Sequence, residues 1–415
     1  MVVVGAGSGG LTTVEGLRGS GFKGKITLIG SEGYTPIDRT KLSKALIDDH
    51  SKIALRDETW FKDGEINFVK DEVASIDFEG KKLDTQAGTC YHYTKLVLAT
   101  GGTPRSLPLP GFKELENIFL LRTIPHVKAI NTAIGEKKKK IVIIGSSFIG
   151  MEVANAVAKD NDVTVVGMES TPLERIMGKE VGKIFQKSLE KNGVKFYMDA
   201  GVEKALPSKS DSSKVGSIEL KDGTSLPADL VILGTGVAPA TTYLKDNKAV
   251  SLEKDGSLKT DENFSVAGLS DVYAVGDIAT YPYHGPGGEG KSVRIEHWNV
   301  AQNSGRAVAA HINNPNTKPK AFIPIFWSAL GAQLRYCGST YHGYDDIVLK
   351  GQPEEAKFAA YYTKGETVVA VATMQIDPIM TQASELMRRG KMPSKSQLQK
   401  DVDILAISVP SEIEI

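Results

Sequence analysis

The feature that most constrains the fold is an apolar strand that runs through a glycine-rich turn into a helix, and the chain contains this feature twice. Residues 1–10 read MVVVGAGSGG, and residues 141–150 read IVIIGSSFIG. After each turn come a helix-like stretch and a second apolar strand, and a glutamate lies beyond the end of that strand. This order predicts a right-handed parallel βαβ unit at each place.

The segments that follow the two units also correspond to each other. Each unit is followed by a β-rich segment with the alternating pattern of antiparallel strands, and then by a buried strand that ends at glycines. LVLATGG at 96–102 and LVILGTG at 230–236 are therefore counterparts. The chain contains an internal duplication with an offset of about 135 residues. From about residue 320, short strands and a helix predict a smaller α+β domain.

The first turn has the spacing G-x-G-x-x-G, which presents backbone N–H groups and a helix N-terminus to a pyrophosphate. We assign the tight turn to Gly5, the close approach of the phosphates to Gly7 and the packing of the helix on the sheet to Gly10. Glu32, after the second strand, is placed to accept hydrogen bonds from ribose hydroxyls. The alternative interpretation is a helix–sheet turn without a ligand.

The second turn keeps Gly145 and Gly150 but has Ser147 where the middle glycine would lie. Two nucleotide sites in one chain imply two cofactors, a resident flavin (FAD) and an exchangeable nicotinamide, with a hydride passing between them. Glu169 lies beyond the second strand of this unit. An acidic side chain there repels a 2′-phosphate, so we expect NADH, with NADPH as the alternative.

The composition argues against several other classes of protein. Lys+Arg and Asp+Glu both number 50, so the chain lacks the basic excess of a nucleic-acid-binding protein. Cys90 and Cys337 form neither a redox pair nor a metal-ligand pattern; we expect both to be small buried residues and predict no metal site. No segment predicts a membrane span or a secretory leader, which favours an intracellular protein, cytoplasmic or mitochondrial.

Several segments resemble one branch of the FAD-dependent pyridine nucleotide-disulphide oxidoreductases. YTPIDRTKLSKALI at 34–47 is similar to the P-x-D-R-x-x-L-S-K segment of the branch that contains the ferredoxin reductases and apoptosis-inducing factor. RIEHWNVAQNSGR at 294–306 and IPIFWSALGAQLRYCG at 323–338 resemble that branch's flavin-proximal helix and C-terminal aromatic segment. GVKFYMDAGVEKA and EEAKFAAYYTKGETVVAVATMQIDPIM are most similar to its Rieske-type, apoptosis-inducing-factor-like reductases.

The resemblance implies an α/β fold with two Rossmann-like (two-dinucleotide-binding) βαβ domains that carry antiparallel β excursions, and a small C-terminal α+β domain of the reductase C-terminal or dimerisation type. The predicted FAD-binding domain is discontinuous and comprises residues 1–124 and 251–318. Residues 125–250 form the predicted NAD(P)H-binding domain, and residues 319–415 form the predicted C-terminal domain. The length of 415 residues is consistent with more than one hydrophobic core.

The resemblance also implies two catalytic residues. Arg39 and Lys44 would lie along the FAD, with Lys44 near the flavin N5 atom, and Glu152 would pair with Lys44 across the two domains. A buried ammonium needs such a partner, and a charge pair beside N5 would hold the geometry of hydride transfer. Without the resemblance, Lys44 and Glu152 would be interpreted as ordinary surface residues.

Further cofactor-binding residues follow from the same resemblance. Thr100 and Gly101 would form the turn under the FAD, Asp277 would bind the ribitol, and Gly234 and Gly236 would lie near the nicotinamide cofactor. Three residues would open a helix whose N-terminus points at the flavin pyrimidine: Glu296, His297 and Trp298. Trp327 would either stack near the flavin or nicotinamide or be a core residue of the small domain. Arg175 would contact the nicotinamide cofactor or lie on the surface. Relatives carry their acidic residue at the position of Gly167, which leaves NADPH open.

The resulting functional prediction is an FAD-dependent NAD(P)H oxidoreductase that passes electrons to an acceptor protein of the iron–sulfur type, a ferredoxin or a Rieske domain. Since this chain has no such centre, the acceptor would act in trans or on a missing upstream domain. Two alternatives stay open. One is a slow, NADH-responsive redox-sensing interaction protein like apoptosis-inducing factor, and the other is a quinone or monodehydroascorbate reductase. We expect a monomer or homodimer that binds no nucleic acid.

Overall fold

The computed structural model describes residues 1–319 and 321–409. The predicted C-terminal domain, 319–415, thus contains seven positions that lie outside the described residues. The α-helices of the described residues are α1 (Ser8–Gly19), α2 (Thr40–Ala45), α3 (Glu58–Asp63), α4 (Ile124–Ile134), α5 (Phe148–Val157), α6 (Glu174–Lys191), α7 (Trp298–Asn313), α8 (Ile379–Arg388) and α9 (Lys395–Gln399). None of these helices combines the length and the apolar character needed to cross a bilayer.

The strands of the N-terminal third are β1 (Val2–Val4), β2 (Ile26–Gly30), β3 (Ile66–Lys70), β4 (Val73–Asp77), β5 (Lys82–Thr85), β6 (Cys90–His92), β7 (Leu96–Leu98), β8 (Gly102–Pro104) and β9 (Ile118–Leu120). Those of the middle third are β10 (Lys140–Ile144), β11 (Asp162–Val166), β12 (Lys195–Tyr197), β13 (Val202–Pro207), β14 (Val215–Leu220), β15 (Ser225–Pro227), β16 (Leu230–Leu233) and β17 (Val237–Pro239). Those of the remainder are β18 (Leu258–Lys259), β19 (Val272–Ala274), β20 (Ala279–Tyr283), β21 (Lys291–Val293), β22 (Ile325–Ala329), β23 (Gln333–Gly338), β24 (Asp346–Gln352), β25 (Lys357–Lys364) and β26 (Thr367–Met374).

Two parallel sheets form the frame of the molecule. The first has the strand order β19-β7-β1-β2-β3 and the second the order β12-β11-β10-β16-β9. In each sheet the strand before the glycine turn, β1 or β10, lies between two parallel neighbours and is almost wholly buried. Helices α1 and α5 connect it to the next strand, as a right-handed βαβ unit requires. The predicted α/β fold class is confirmed.

One detail of the prediction is corrected. The alternating segment after the first unit was expected to be antiparallel throughout, but β3 extends the parallel sheet, with Ile26 opposite Ile66 and Gly30 opposite Lys70. Within this segment, the antiparallel sheet is limited to β4, β5 and β6, and it corresponds to β13-β14-β15 in the second half. Alternation of apolar and polar residues indicates a strand with one buried face, but it does not identify the strand's partner.

The two halves of the duplication join through equivalent strands. β8 begins at the last glycine of LVLATGG and β17 follows LVILGTG, and these counterparts pair with each other in an antiparallel ladder, with Thr103 opposite Ala238. The carboxyl ends of the two parallel sheets are therefore brought to the same region. In open α/β sheets these ends are where ligands bind.

The C-terminal sheet is antiparallel, with the order β22-β23-β26-β25-β24, and packs against α6 of the second half. The hydroxyl of Tyr362 donates to the carbonyl of Met177 at 2.8 Å, and the rings of Phe185 and Phe358 lie 6.2 Å apart. Full burial of one such aromatic side chain contributes roughly 1.5–3 kcal/mol. Cys337 is buried in this sheet as expected, whereas Cys90 is exposed on the edge strand β6, contrary to expectation.

Candidate active site

A cleft lies where the first sheet, the second sheet and the C-terminal sheet meet. It consists of two adjoining cavities that share Gly7, Arg39, Ala99, Gly101 and Arg122 among their lining residues. Residues from all three sheets or their connections line it: Gly5, Glu32, Lys44, Thr100, Phe148, Glu152, Asp277, Glu296, His297, Trp298, Phe326 and Trp327. Most residues that the sequence assigned to FAD thus lie around one continuous space.

The first glycine turn is shaped by two close backbone approaches. A Cβ atom on Gly5, which has φ +106°, would overlap the carbonyl of Ala99, and a Cβ atom on Gly10 would overlap the carbonyl of Gly5. By contrast, apart from the residues next to it in the chain, no residue has an atom within 4 Å of the Cβ position of Gly7, which lines the cleft. The close backbone contacts require glycine at positions 5 and 10, whereas the open space beside Gly7 leaves room for a ligand.

The second turn repeats this construction. Gly145 has φ +107°, and a Cβ atom on it would overlap the carbonyl of Gly234, just as one on Gly150 would overlap the carbonyl of Gly145. Ser147 precedes α5, and its hydroxyl donates to the carbonyl of Gly234 at 2.8 Å. The serine therefore replaces the middle glycine without occupying the turn, because its side chain is tied back to the end of β16.

Acidic and basic residues alternate along the wall of the cleft. Arg39 donates to both carboxylate oxygens of Glu32, at 2.8 and 2.5 Å, and to the carbonyl of Arg122 at 2.6 Å. Arg122 in turn lies 3.0 Å from the carboxylate of Asp277. Arg122 was not predicted as a site residue, because no local motif marks it. A carboxylate has about four acceptor positions, so Glu32 and Asp277 retain capacity for sugar hydroxyls.

The strand ends that precede β8 and β17 supply the turns beside the cleft. The hydroxyl of Thr100 donates to the carbonyl of Ala240 at 2.8 Å, which joins the two halves. Gly101 and Gly236 have φ +72° and +84°. A Cβ atom on Gly101 would lie 3.2 Å from the guanidinium of Arg122, whereas no atom lies within 4 Å of the Cβ position of Gly236. Glycine thus allows a left-handed turn at both counterpart positions.

Lys44 and Glu152 form a buried ion pair between the two halves. The ammonium nitrogen lies 2.9 Å from Oε1 of Glu152, and the two side chains are 19% and 6% exposed. Lys44 lies in the last turn of α2, while Glu152 lies one turn into α5, after the second glycine turn. Two hydroxyls complete the surroundings of the carboxylate: Ser43 donates to Oε2, and Ser328 donates to Oε1 at 2.6 Å. Both serines lie in segments that resemble the family, but neither was predicted as a site residue.

Helix α7 directs its N-terminus into the same cleft, and Glu296, His297 and Trp298 line the cavity where it begins. Burial, and after it the nearby carboxylate of Asp277, raise the pKa of Glu296. His297 precedes the helix and its Nδ1 atom is buried without a hydrogen-bond partner among the described residues. Buried polar atoms are normally hydrogen-bonded, so an unpaired atom in a residue that lines the cleft is consistent with a ligand there.

Aromatic rings beside His297 also line the cleft. Phe326 lies 4.7 Å from the ring of Phe148 and 4.6 Å from the imidazole of His297. Trp327, the neighbour of Phe326 on β22, is 47% exposed and lines the cavity. It is therefore not a core residue of the C-terminal sheet.

The neutral state of His297 gives a prediction for stability in acid. Burial lowers the pKa of His297 to about 3, whereas an unfolded histidine has a pKa of about 6.5. The unfolded chain therefore gains a proton at this residue as the pH falls below about 6.5, and the folded chain does not, so stability is lost between about pH 6.5 and pH 3. We expect His297→Asn to reduce this loss, measured by urea unfolding at several pH values. The same substitution at exposed His92 is the control, and equal pH dependence in His297→Asn and the wild type would contradict the prediction.

Glu169 lies close to the second turn. Its carboxylate accepts from Ser146 at 3.2 Å and pairs with Arg175 at 2.8 Å, and the Arg175 side chain is 76% exposed. At Gly167, two positions before Glu169, a Cβ atom would lie 2.7 Å from both Met198 Cε and Ser146 Oγ. A side chain at position 167 would require Met198 and Ser146 to move, and Glu169 provides the negative charge at this end of the sheet.

The cleft fits a flavin dinucleotide. Helix α1 begins at Ser8 without a side-chain cap, so its first N–H groups are available to a pyrophosphate next to the open position at Gly7. The unpaired Nδ1 atom of His297 lies in the part of the cleft where the aromatic rings are found. Among the described residues, no three His, Cys, Asp or Glu side chains are grouped as a metal site.

Comparisons with known proteins agree with this geometry. Residues 1–305 match the family model of the pyridine nucleotide-disulphide oxidoreductases, and residues 325–406 match the reductase C-terminal model. Apoptosis-inducing factor 3 of Homo sapiens is 34% identical over 403 residues, which are 96% of this chain and 64% of that protein. Rhodocoxin reductase of Rhodococcus erythropolis is 30% identical over 415 residues, covering 97% of this chain and 92% of the reductase.

Solved structures give the same result. The covalent complex of putidaredoxin reductase with putidaredoxin contains a chain that superimposes with a TM-score of 0.88 at 28% identity, over 97% of this chain and 96% of the other. The ferredoxin reductase of the CYP199A2 system from Rhodopseudomonas palustris has the same TM-score and identity, over 97% and 99% of the two chains. The chain belongs to the pyridine nucleotide-disulphide oxidoreductase family.

Proposed function

We propose that this protein is an FAD-dependent NAD(P)H oxidoreductase. When bound, FAD supplies an acceptor for the hydride of NADH and a donor of electrons to a second protein. The observation that carries the proposal is the buried pair of Lys44 and Glu152, which lies in the cleft between the two glycine turns and joins the two halves of the duplication. A nucleotide at each turn would extend toward this pair from opposite sides.

We assign the FAD to the first half of the duplication, with a domain of residues 1–124 and 251–318. The α1 N-terminus and Gly7 bind the pyrophosphate, with Gly5 and Gly10 shaping the turn, and Glu32 and Asp277 accept hydrogen bonds from the sugar hydroxyls. Lys44 and the N-terminus of α7 place positive charge beside the flavin. The remaining residues of this proposed site are Arg39, Thr100, Gly101, Glu296, His297, Trp298 and Trp327.

We assign the nicotinamide nucleotide to residues 125–250. Its pyrophosphate is placed at the N-terminus of α5, where Gly145, Ser147 and Gly150 form the turn, and Gly234 and Gly236 border the same strand end. The carboxylate of Glu169 favours the 2′-hydroxyl of NADH over the 2′-phosphate of NADPH, because two negative groups repel each other. Glu152 holds Lys44 in place on this side of the cleft.

We infer that the electron acceptor is an iron–sulfur protein. Relatives of this chain include the ferredoxin–NAD(+) reductase subunit of a benzene 1,2-dioxygenase system, 28% identical, and a rubredoxin–NAD(+) reductase, 30% identical, both of Pseudomonas putida. Phe326 and Trp327 line the cleft beside the C-terminal sheet, and the exposed Trp327 shows that the cleft reaches the protein surface there. This sheet belongs to the proposed third domain, residues 319–415. Electrons would leave the cleft along this side.

The test is a stopped-flow experiment on the FAD-loaded protein. We expect NADH to bleach the flavin absorbance rapidly and NADPH to do so more slowly, because of Glu169. The reduced protein is then mixed with a ferredoxin, a rubredoxin, a cytochrome and a quinone, and we expect rapid oxidation by an iron–sulfur protein. If neither nucleotide reduces the flavin, the proposal is wrong.

The similarity to apoptosis-inducing factor 3 supports a second candidate, an NADH-responsive interaction protein with low turnover. The two candidates differ in the acceptor step. If NADH reduces the flavin but every acceptor oxidises it slowly, and the reduced protein changes its oligomeric state in size-exclusion chromatography, the second candidate is supported. Rapid, repeated turnover with an iron–sulfur protein excludes it.

A further inference from the structure

The carboxylate of Glu152 is held by groups from three separate parts of the chain. Ser43 and Lys44 come from α2 in the first half, Glu152 from α5 in the second half, and Ser328 from β22 in the C-terminal sheet. All of these contacts are short, with 2.9 Å from the Lys44 nitrogen and 2.6 Å from the Ser328 hydroxyl to Oε1, and a hydrogen bond from Ser43 to Oε2. The carboxylate is thus the point where the three sheet systems meet.

We propose that Ser328 is a positioning residue for the reaction, through which the C-terminal sheet holds Glu152 in place against Lys44. This inference rests on the proposed function, because it assigns a role in hydride transfer to a residue that is not among those lining the cavity. It makes β22 a part of the reaction centre as well as of a folded domain.

The hydroxyl of Ser328 is buried and donates to the carboxylate of Glu152. Ser328 is 4% exposed, on a strand whose neighbouring residues, Phe326 and Trp327, line the cleft. Its hydrogen bond to Glu152 is the one that its side chain makes in the described part of the chain. Burial of a hydroxyl without a partner is costly, so the strand position and the carboxylate position stabilise each other.

Both serines are needed to define the orientation of the Glu152 carboxylate. A glutamate side chain rotates about three bonds, and a single hydrogen bond does not define the plane of its carboxylate. Ser43 binds one oxygen, and Ser328 binds the oxygen that also contacts Lys44. Without Ser328, the contacts left on the carboxylate are those of Ser43 and of the flexible Lys44 side chain, so Oε1 and the ammonium group can move together from their present position.

The experiment compares Ser328→Ala with Ser328→Thr, which keeps the hydroxyl, in the FAD-loaded protein. In stopped-flow reduction by NADH we expect Ser328→Ala to lower the limiting rate constant roughly tenfold, the effect of one hydrogen bond to a charged group, while the apparent dissociation constant of NADH stays unchanged. Ser328→Thr should restore most of the rate. Thr373→Val removes another buried hydroxyl of the same sheet and should leave the rate unchanged.

A double-mutant cycle provides a readout that does not depend on turnover. We expect Ser328→Ala to lower the thermal unfolding midpoint of the protein, with or without FAD, and to have a smaller effect when Glu152 is already alanine. Ser43→Ala should likewise lower the unfolding midpoint less in the Glu152→Ala background than in the wild type. If Ser328→Ala folds poorly, Ser328→Thr is measured in the same two backgrounds.

Two results would overturn the inference. One is a wild-type limiting rate in Ser328→Ala, and the other is an equal effect of Ser328→Ala in the wild-type and Glu152→Ala backgrounds, because a general packing defect would be independent of Glu152. Failure of the proposed function looks different: the wild-type protein itself would not be reduced by NADH, while the coupling between Ser328 and Glu152 in unfolding would still be measurable.

Discussion

Alanine at Gly5 is expected to yield a colourless protein that does not retain FAD, whereas alanine at Gly145 is expected to yield a yellow protein that NADH no longer reduces. At both positions φ is close to +106°, and the new Cβ atom would overlap a backbone carbonyl, that of Ala99 or that of Gly234. A backbone carbonyl cannot move aside as the end of a flexible side chain can. Each change should therefore destabilise its turn by roughly 3 kcal/mol or more.

The measurements are the flavin content of the purified protein, from its absorbance, and the rate of reduction by NADH. Because the two turns belong to different sheets, each substitution should damage one nucleotide site more than the other. If Gly145→Ala loses FAD while Gly5→Ala retains it, the assignment of the two cofactors to the two halves is reversed.

Two further glycine substitutions serve as matched controls. Neither Gly7 nor Gly19 has an atom of the chain within 4 Å of its Cβ position, and neither has a positive φ. Gly19, at the exposed end of α1, should tolerate alanine without effect on either cofactor. Gly7→Ala should leave the stability of the FAD-free protein unchanged but weaken FAD binding, because its Cβ atom would enter the space assigned to the pyrophosphate.

The second large effect is expected from Glu152→Ala. This change leaves the ammonium group of Lys44, only 19% exposed, without its carboxylate, and removes the acceptor of two buried hydroxyls. Loss of one partner of a buried pair costs about 3 kcal/mol, so we expect a clear fall in the free energy of unfolding. We also expect the limiting rate of flavin reduction by NADH to fall about 100-fold, because Lys44 is no longer held in place.

Urea unfolding and stopped-flow reduction measure the two effects of Glu152→Ala. The control is Glu58→Ala, which breaks an ion pair with Lys70 that lies in solvent, where the side chains are 75% and 41% exposed. Exposed pairs contribute little, so this variant should behave like the wild type. If Glu152→Ala is reduced as fast as the wild type, the pair has no role in the reaction.

Some residues of the candidate site could be predicted from the sequence, and others could not. The two turns could be found because each consists of consecutive residues with a fixed local geometry, and Lys44 and Glu152 could be assigned because each lies within a short segment that resembles the family. Ser43, Ser328 and Arg122 were missed. Ser43 and Ser328 lie within segments that resemble the family, but the partners of the three residues lie 109, 176 and 155 positions away along the chain, so the local sequence does not show what they bind.

The sequence by itself determined the order of the apolar strands, the positions of the two glycine turns and the existence of a duplicated βαβ plan, because these properties depend on short-range sterics and on the periodicity of burial. The tertiary structure alone decided which partner β3 takes, how β8 and β17 join the halves, and which polar groups surround Glu152. Those features depend on contacts between distant segments, and such contacts form only when the three sheets pack together.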